Sequence, residues 1–248
     1  RLSASGAGTD ASGVYVTEAD AVSVDTVSVS VTEVGSDAVL SVLRDESQSD
    51  VVSGGDVVLV AGGAVSLKDG TDVAASGSVA AQDNTDGVSV KALGGGNVLI
   101  ETNAGDLAVF SDVLSGTGHV TLKAAGGVSL GPDVDVKTGS AGTVSVDAES
   151  GVLTMSGSAT VQATGSSARV SAQQTVTLGW LSATNVSVVS RGGSILSAQS
   201  GLTNVSATAL RLVADDAIGA SGRHLGTAVG RLSASGAGTD ASGVYVTE

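Results

Sequence analysis

The first 18 residues, RLSASGAGTDASGVYVTE, return letter for letter as Arg231–Glu248. The chain therefore carries one full unit of a tandem repeat, residues 1–230, and the opening 18 residues of the next, 231–248. A duplication of this kind restricts the fold to architectures in which identical units can be joined end to end. No linker-like run separates Leu210–Gly230 from the second copy, so the spacing predicts a continuous rod rather than beads on a string.

Inside the unit runs a shorter rhythm. Apolar and polar residues alternate at Val14/Val16, Val22/Val24 and Val27–Val31, and again at Val58/Val60, Val65/Leu67, Val88/Val90, Val98/Ile100 and Leu107/Val109. The series continues through Val120/Leu122, Val128/Leu130, Val134/Val136, Val144/Val146, Val152, Val161, Val170, Val176/Leu178 and Val186/Val188 to Ile195, Val205, Leu210/Leu212 and Ile218. Period two is the mark of a half-buried strand. Asp37–Gln48 also fits one face of a helix, and strand is the preferred reading there. Glycine-bearing turns such as Gly94-Gly95-Gly96, Gly126-Gly127 and Gly139–Gly142 separate the strands.

Composition narrows the architecture. The chain has 36 Gly and 1 Pro, it is 2% aromatic, and yet 42% of its residues are hydrophobic. A compact domain anchors its core on large aromatic rings; Val, Ala and Leu suit a narrow interior built of thin layers. The segments HVTL at His119–Leu122, TVSV at Thr143–Val146 and RVSA at Arg169–Ala172 each open a block of three strands. Blocks of that length are coils of an all-β, right-handed parallel β-solenoid (β-helix), about ten coils per 230-residue unit. At a strand spacing of about 4.8 Å each unit should advance roughly 45–50 Å. The alternative, tandem immunoglobulin-like sandwiches, calls for a buried aromatic in each domain and fewer glycine corners.

Three stretches carry a resemblance. GDVVLVAGGAVSL (Gly55–Leu67), GGGNVLIETNAGDLAVF (Gly94–Phe110) and LRLVADDAIGASGRHLGTAVGRLSASG (Leu210–Gly236) resemble the β-helical shafts of filamentous-haemagglutinin-like bacterial surface adhesins. These giant tandem-repeat proteins are exported by two-partner or autotransporter routes. The resemblance implies an extracellular, cell-surface rod with an adhesive role.

Net charge is −14, which argues against nucleic acid or anionic membrane as a partner, because both are bound through basic patches. No run of about 18 apolar residues is present to span a membrane. The acids are unevenly placed: residues 1–149 hold 21 of the 25 Asp and Glu, whereas 151–213 hold none and keep Arg169, Arg191 and Arg211. Stacked units would alternate acidic and mildly basic bands. The absence of Cys suits a cytosolic protein or a long surface protein that crosses membranes unfolded.

Candidate chemistry is sparse. His119 and His224 are the only histidines, so no His/Cys metal site can be assembled in one unit. The oxygen-rich turn at Asp83 and Asp86, and Asp133 and Asp135 on one side of a strand with Val134 opposite, are the calcium candidates, with Asp69 and Asp72 flanking a further turn. The competing reading is that these carboxylates keep the rod soluble. Asn185 and Asn204, in repeated Thr-Asn-Val-Ser tetrapeptides, are candidates for a stacked amide ladder. Trp180 and Phe110 read as corner or core fillers. No catalytic residue and no cofactor site is expected. The functional expectation is a structural shaft whose partners are further copies stacked end to end, together with neighbouring filaments, glycans or cell surfaces. Repeated weak glycan or cell binding is the second expectation, and a β-helical polysaccharide-active enzyme the third.

Overall fold

A computed structural model describes residues 1–6, 13–45, 47–71, 87–237 and 243–248. The described residues are all-β and contain no helix. Apart from one hairpin, all the strands named here pair in parallel, forming a β-solenoid. Each coil visits three faces in turn. The first face carries Val14–Glu18, Val57–Ala61, Val98–Thr102, Val120–Ala124 and Val144–Ala148, then the later halves of Thr160–Ala172, Trp180–Ser190, Thr203–Ala214 and Leu225–Gly236. The second face is a separate seven-stranded sheet from Val22–Val24 to Ile195–Ser197, extended by single bridges to Ile218 and Val244. The third carries Ala4–Gly6, Val51–Ser53, Val88–Ala92, Asp112–Ser115 and Asp135–Thr138, then the earlier halves of the four long strands and Val246–Thr247. Counted from Val14, eight complete coils stack among the described residues, with a partial coil at each end. The count falls short of ten because the connections between Val24 and Val51 and between Leu67 and Val88 are long.

The core is a set of columns in which like side chains stack. On the first face Leu59, Ile100, Leu122, Val146, Val170, Val188 and Leu212 stack coil upon coil, each no more than 1% exposed. The second face supplies Val65, Leu107, Val128, Leu153, Val176 and Ile195. A single coil could not shield such residues, whereas its neighbours above and below do, so stability propagates along the rod. At about 25 cal/mol per Å² of apolar area, each interior Leu or Val contributes roughly 1.5–3 kcal/mol by leaving water.

Inward parity differs from expectation in two places. Val57 and Leu59 point in and Val58 and Val60 out, and Leu153 and Met155 are buried while Val152 is 42% exposed. In VVLVA every residue is apolar, so alternation cannot choose the face.

A larger difference concerns Val27–Val31. The chain leaves the rod here as an antiparallel hairpin, Ser30–Val34 against Leu40–Arg44, in which all ten strand residues are exposed. The strand reading of the Asp37–Gln48 region holds at Leu40–Arg44, but the half-buried reading of Val27–Val31 does not. Val29 and Val31 are 49% and 48% exposed, since no coil position is left for them to fill. The hairpin tip is held by Gly35 N–H donating to Val39 O at 2.8 Å, with Ala38 in the left-handed region at φ 61°.

The duplicated segment takes two placements. In the first copy Leu2 bridges Val24 on the second face, Ala4–Gly6 lies on the third, and Val14–Glu18 forms a first-face strand. In the second copy Arg231–Gly236 lies on the first face, Val244 bridges Ile218 on the second, and Val246–Thr247 lies on the third. The strand Leu225–Gly236 crosses residues 230 and 231 without interruption.

Candidate functional site

The corner between the third and first faces has two forms, and the change between them shapes the surface. In coils 2 to 5 the sequence Gly-x-Val opens each first-face strand: Gly55-Asp56-Val57, Gly96-Asn97-Val98, Gly118-His119-Val120 and Gly142-Thr143-Val144. These glycines stack so closely that a Cβ on Gly118 would lie 2.1 Å from Gly96 O, and one on Gly142 would lie 1.9 Å from Gly118 O. No side chain fits there. Ser115 Oγ locks the corner by donating to Gly96 O at 2.7 Å and accepting from Gly118 N at 2.9 Å.

The middle residue of each triplet joins a polar column. Asp56 Oδ1 accepts Asn97 N–H at 2.8 Å and Asn97 Nδ2 at 3.1 Å, and Asn97 Oδ1 accepts His119 N–H at 2.9 Å. His119 Nδ1 accepts Thr143 N–H at 3.1 Å and lies 2.9 Å from Thr143 Oγ1. The column satisfies backbone donors that the corner would otherwise leave bare. The Asn97 N–H beside Asp56 is the leading influence holding that carboxyl below its ordinary range, and burial opposes it. Tyr15 O–H donates to Asp56 Oδ2 at 3.1 Å, and that bond raises the phenol's pKa.

From coil 5 onward the corner is a continuous bent strand, as in Thr160–Ala172. Where the bend begins, a groove of about 630 Å³ opens along the start of the first-face strands. It crosses five coils, from Val144 through Ala168, Val186 and Leu210 to Leu232, and Arg169, Arg211 and Arg231 line it with no acidic residue among its walls. Arg169 donates to Ser171 Oγ at 2.6 Å, and Arg211 donates to Ser187 Oγ at 3.3 Å. Farther along the first face Lys123 bridges Glu101 at 2.7 Å and Glu149 at 3.2 Å, and these two carboxylates, Glu101 foremost, raise its pKa.

The residues singled out from sequence are scattered. Asp83, Asp86 and Asp72 lie outside the described residues. Asp133 is not on a strand with Asp135: it sits in the Gly131-Pro132-Asp133 turn at φ 59°, its N–H donating to Ser158 Oγ at 2.9 Å. Asp135 pairs with Lys137, and its N–H donates to Asp112 Oδ1 at 2.7 Å. Burial pushes the Asp112 carboxyl above its ordinary pKa. Asp69 accepts from Gly87 N at 3.3 Å. Among the described residues, no group of three or more His, Asp or Glu side chains comes together in a way that could hold a metal ion. His224 Nδ1 lies 2.8 Å from Thr247 Oγ1, with its ring 5.8 Å from that of Tyr245.

Asn185 and Asn204 do not form a ladder. Asn185 is exposed at the groove and stands opposite Ser167 and Ala209. Asn204 is 1% exposed on the third face and ties three coils: Nδ2 donates to Leu178 O and Gly179 O, both at 3.0 Å, and Oδ1 accepts Gly226 N–H at 3.1 Å. The tetrapeptides recur at 19 residues, which is shorter than the local coil, so the two asparagines land on different faces. Phe110 and Trp180 are surface residues, 57% and 37% exposed, rather than core fillers.

Compared with known proteins, the chain matches no family profile, no curated protein and no solved structure.

Proposed function

We propose that the chain is a segment of a structural shaft, a rod of tandem solenoid units that gives a long fibre its reach. The observation that carries this reading is the stack of eight in-register coils on a chain that begins its own sequence again at Arg231. Parallel coils with open ends present unpaired strand edges that only a further coil satisfies, and a repeated sequence supplies such coils indefinitely. Placement of the rod at a bacterial cell surface, as part of a filamentous-haemagglutinin-like adhesin, belongs to this proposal and draws on the resemblance of Gly55–Leu67, Gly94–Phe110 and Leu210–Gly236. Its partners are further copies of the same unit.

Electron microscopy of a chain of four tandem units tests the reading. A shaft gives a thin rod of uniform width, lengthening by about 40–45 Å for each added unit at a coil spacing of about 4.8 Å. Globules joined by visible gaps would refute it.

A further inference from the structure

The hairpin of Ser30–Val34 and Leu40–Arg44, the arm, is the least expected surface of the molecule. A two-stranded hairpin with nothing packed on it is marginal in water. This one nevertheless exposes apolar side chains on both faces: Val31 opposite Leu43 on one, Val34 opposite Leu40 and Thr32 opposite Val42 on the other. Val34, Leu40 and Val42 are 69%, 66% and 57% exposed. An apolar patch of this size on an otherwise acidic protein marks a contact surface.

The groove at the start of the first-face strands has the complementary properties. Its floor is apolar, with Val186 and Leu210, and its rim is basic, with Arg169 and Arg211 in mid-rod and Arg231 beyond them. Residues 29–45 of the arm carry Glu33, Asp37 and Asp45 against the single Arg44. The dimensions agree: a five-residue strand is about 17 Å long, and the five coils crossed by the groove span about 19 Å. Basic rim and acidic arm also fall in the two halves of the chain that differ most in charge, the acid-free 151–213 and the acid-rich start.

We propose that the arm of one copy docks in the groove of a second copy of this chain. The exposed apolar pairs lie on the floor and the arm's carboxylates face the arginine rim. Arm and groove are separate surfaces, so every copy offers both. The contact is heterologous and joins rods side by side rather than end to end. It needs only two copies of the chain and holds whether or not the rod serves as an adhesin shaft.

The test is sedimentation velocity of the 248-residue chain at low and high salt, with two variants and their mixture. Wild-type chains should associate at tens of micromolar, and salt should weaken the association, as for any contact steered by charge. R169E/R211E should weaken it at least ~10-fold, and E33K/D37K/D45K should do the same. All five positions are exposed, and unchanged far-UV circular dichroism verifies folding. Mixing the groove-reversed with the arm-reversed chain should restore a heterodimer that neither forms alone. A wild-type chain that stays monomeric overturns the proposal. So does association that groove reversal leaves intact, which would point to arm-to-arm pairing, and so does a mixture that fails to recover.

Discussion

Gly118→Ala tests the tightest contact in the rod. The added Cβ would sit 2.1 Å from Gly96 O and 2.5 Å from Gly96 C, and both are backbone atoms that cannot turn aside. Ordinary contact begins at 3.4 Å, so the two coils must part locally by about 1.3 Å, which a close-packed interior resists. The hydrogen bonds that cross this corner are Ser115 Oγ to Gly96 O at 2.7 Å, His119 N to Asn97 Oδ1 at 2.9 Å and Val98 N to His119 O at 2.8 Å. Stretched by that amount they pass beyond bonding range. Losing two or three at about 1 kcal/mol each destabilises the protein by about 2–4 kcal/mol. Gly95→Ala in the same turn is the control. Its Cβ would meet nothing nearer than Thr117 Oγ1 at 3.8 Å, so it should be neutral or stabilise by up to about 1 kcal/mol through the unfolded chain. Urea unfolding followed by far-UV circular dichroism measures both. If Gly118→Ala unfolds within about 0.5 kcal/mol of wild type, the coils are not in contact at this corner and the stacking argument fails.

Asn204→Ala should cost about 1–3 kcal/mol in the same assay, because Gly179 O and Gly226 N lose their bonds to the side chain and Leu178 O is left with Ala198 N–H alone, whereas Asn185→Ala should change little. Asp112→Asn keeps an oxygen for Asp135 N–H and removes a charge that burial disfavours. Because the folded pKa is raised, wild type loses stability as pH rises through it; the variant should therefore be the more stable at neutral pH, and its advantage should vanish once acid protonates Asp112. Asp56→Ala should show the opposite trend. That carboxyl is held below its ordinary pKa, so wild type should exceed the variant most at neutral pH and the gap should narrow in acid. Asp133→Gly should raise stability by about 1 kcal/mol, since φ 59° strains any residue with a Cβ.

The stretch from Val120 to Val146 was the most legible part of the sequence, because polar residues separate its inward positions and alternation alone fixes the face. At Val57–Ala61 the same rule failed, as no residue there is polar enough to declare the outside. Alternation at Val27–Val31 implied a strand of which only Ser30 and Val31 belong to one, at the start of Ser30–Val34, and it said nothing of whether a coil was available to receive it. The column Asp56, Asn97, His119 and Thr143 went unnoticed because its members differ chemically, although the Gly-x-Val frame around each repeats visibly. The asparagine ladder failed for the converse reason: an identical tetrapeptide suggested equivalence, but only the coil length decides which residues meet. The arginines at the groove were readable as an acid-free stretch, and their convergence depended on the bend that replaces the glycine corner.

The 18-residue repeat begins on the second and third faces and ends on the first in one copy, and begins on the first and ends on the second and third in the other, which makes it a phase joint. Everywhere else a coil's side chains dictate which face each segment occupies; at this joint the same letters satisfy two assignments. The azimuth at which a new unit starts is then set by the coil beneath it. Were units to follow one another in phase, their arms would project in a single row like the teeth of a comb. Were each to start one face onward, the arms would wind about the axis as a single thread with three units to the turn, and one rod would present contacts to neighbours on every side.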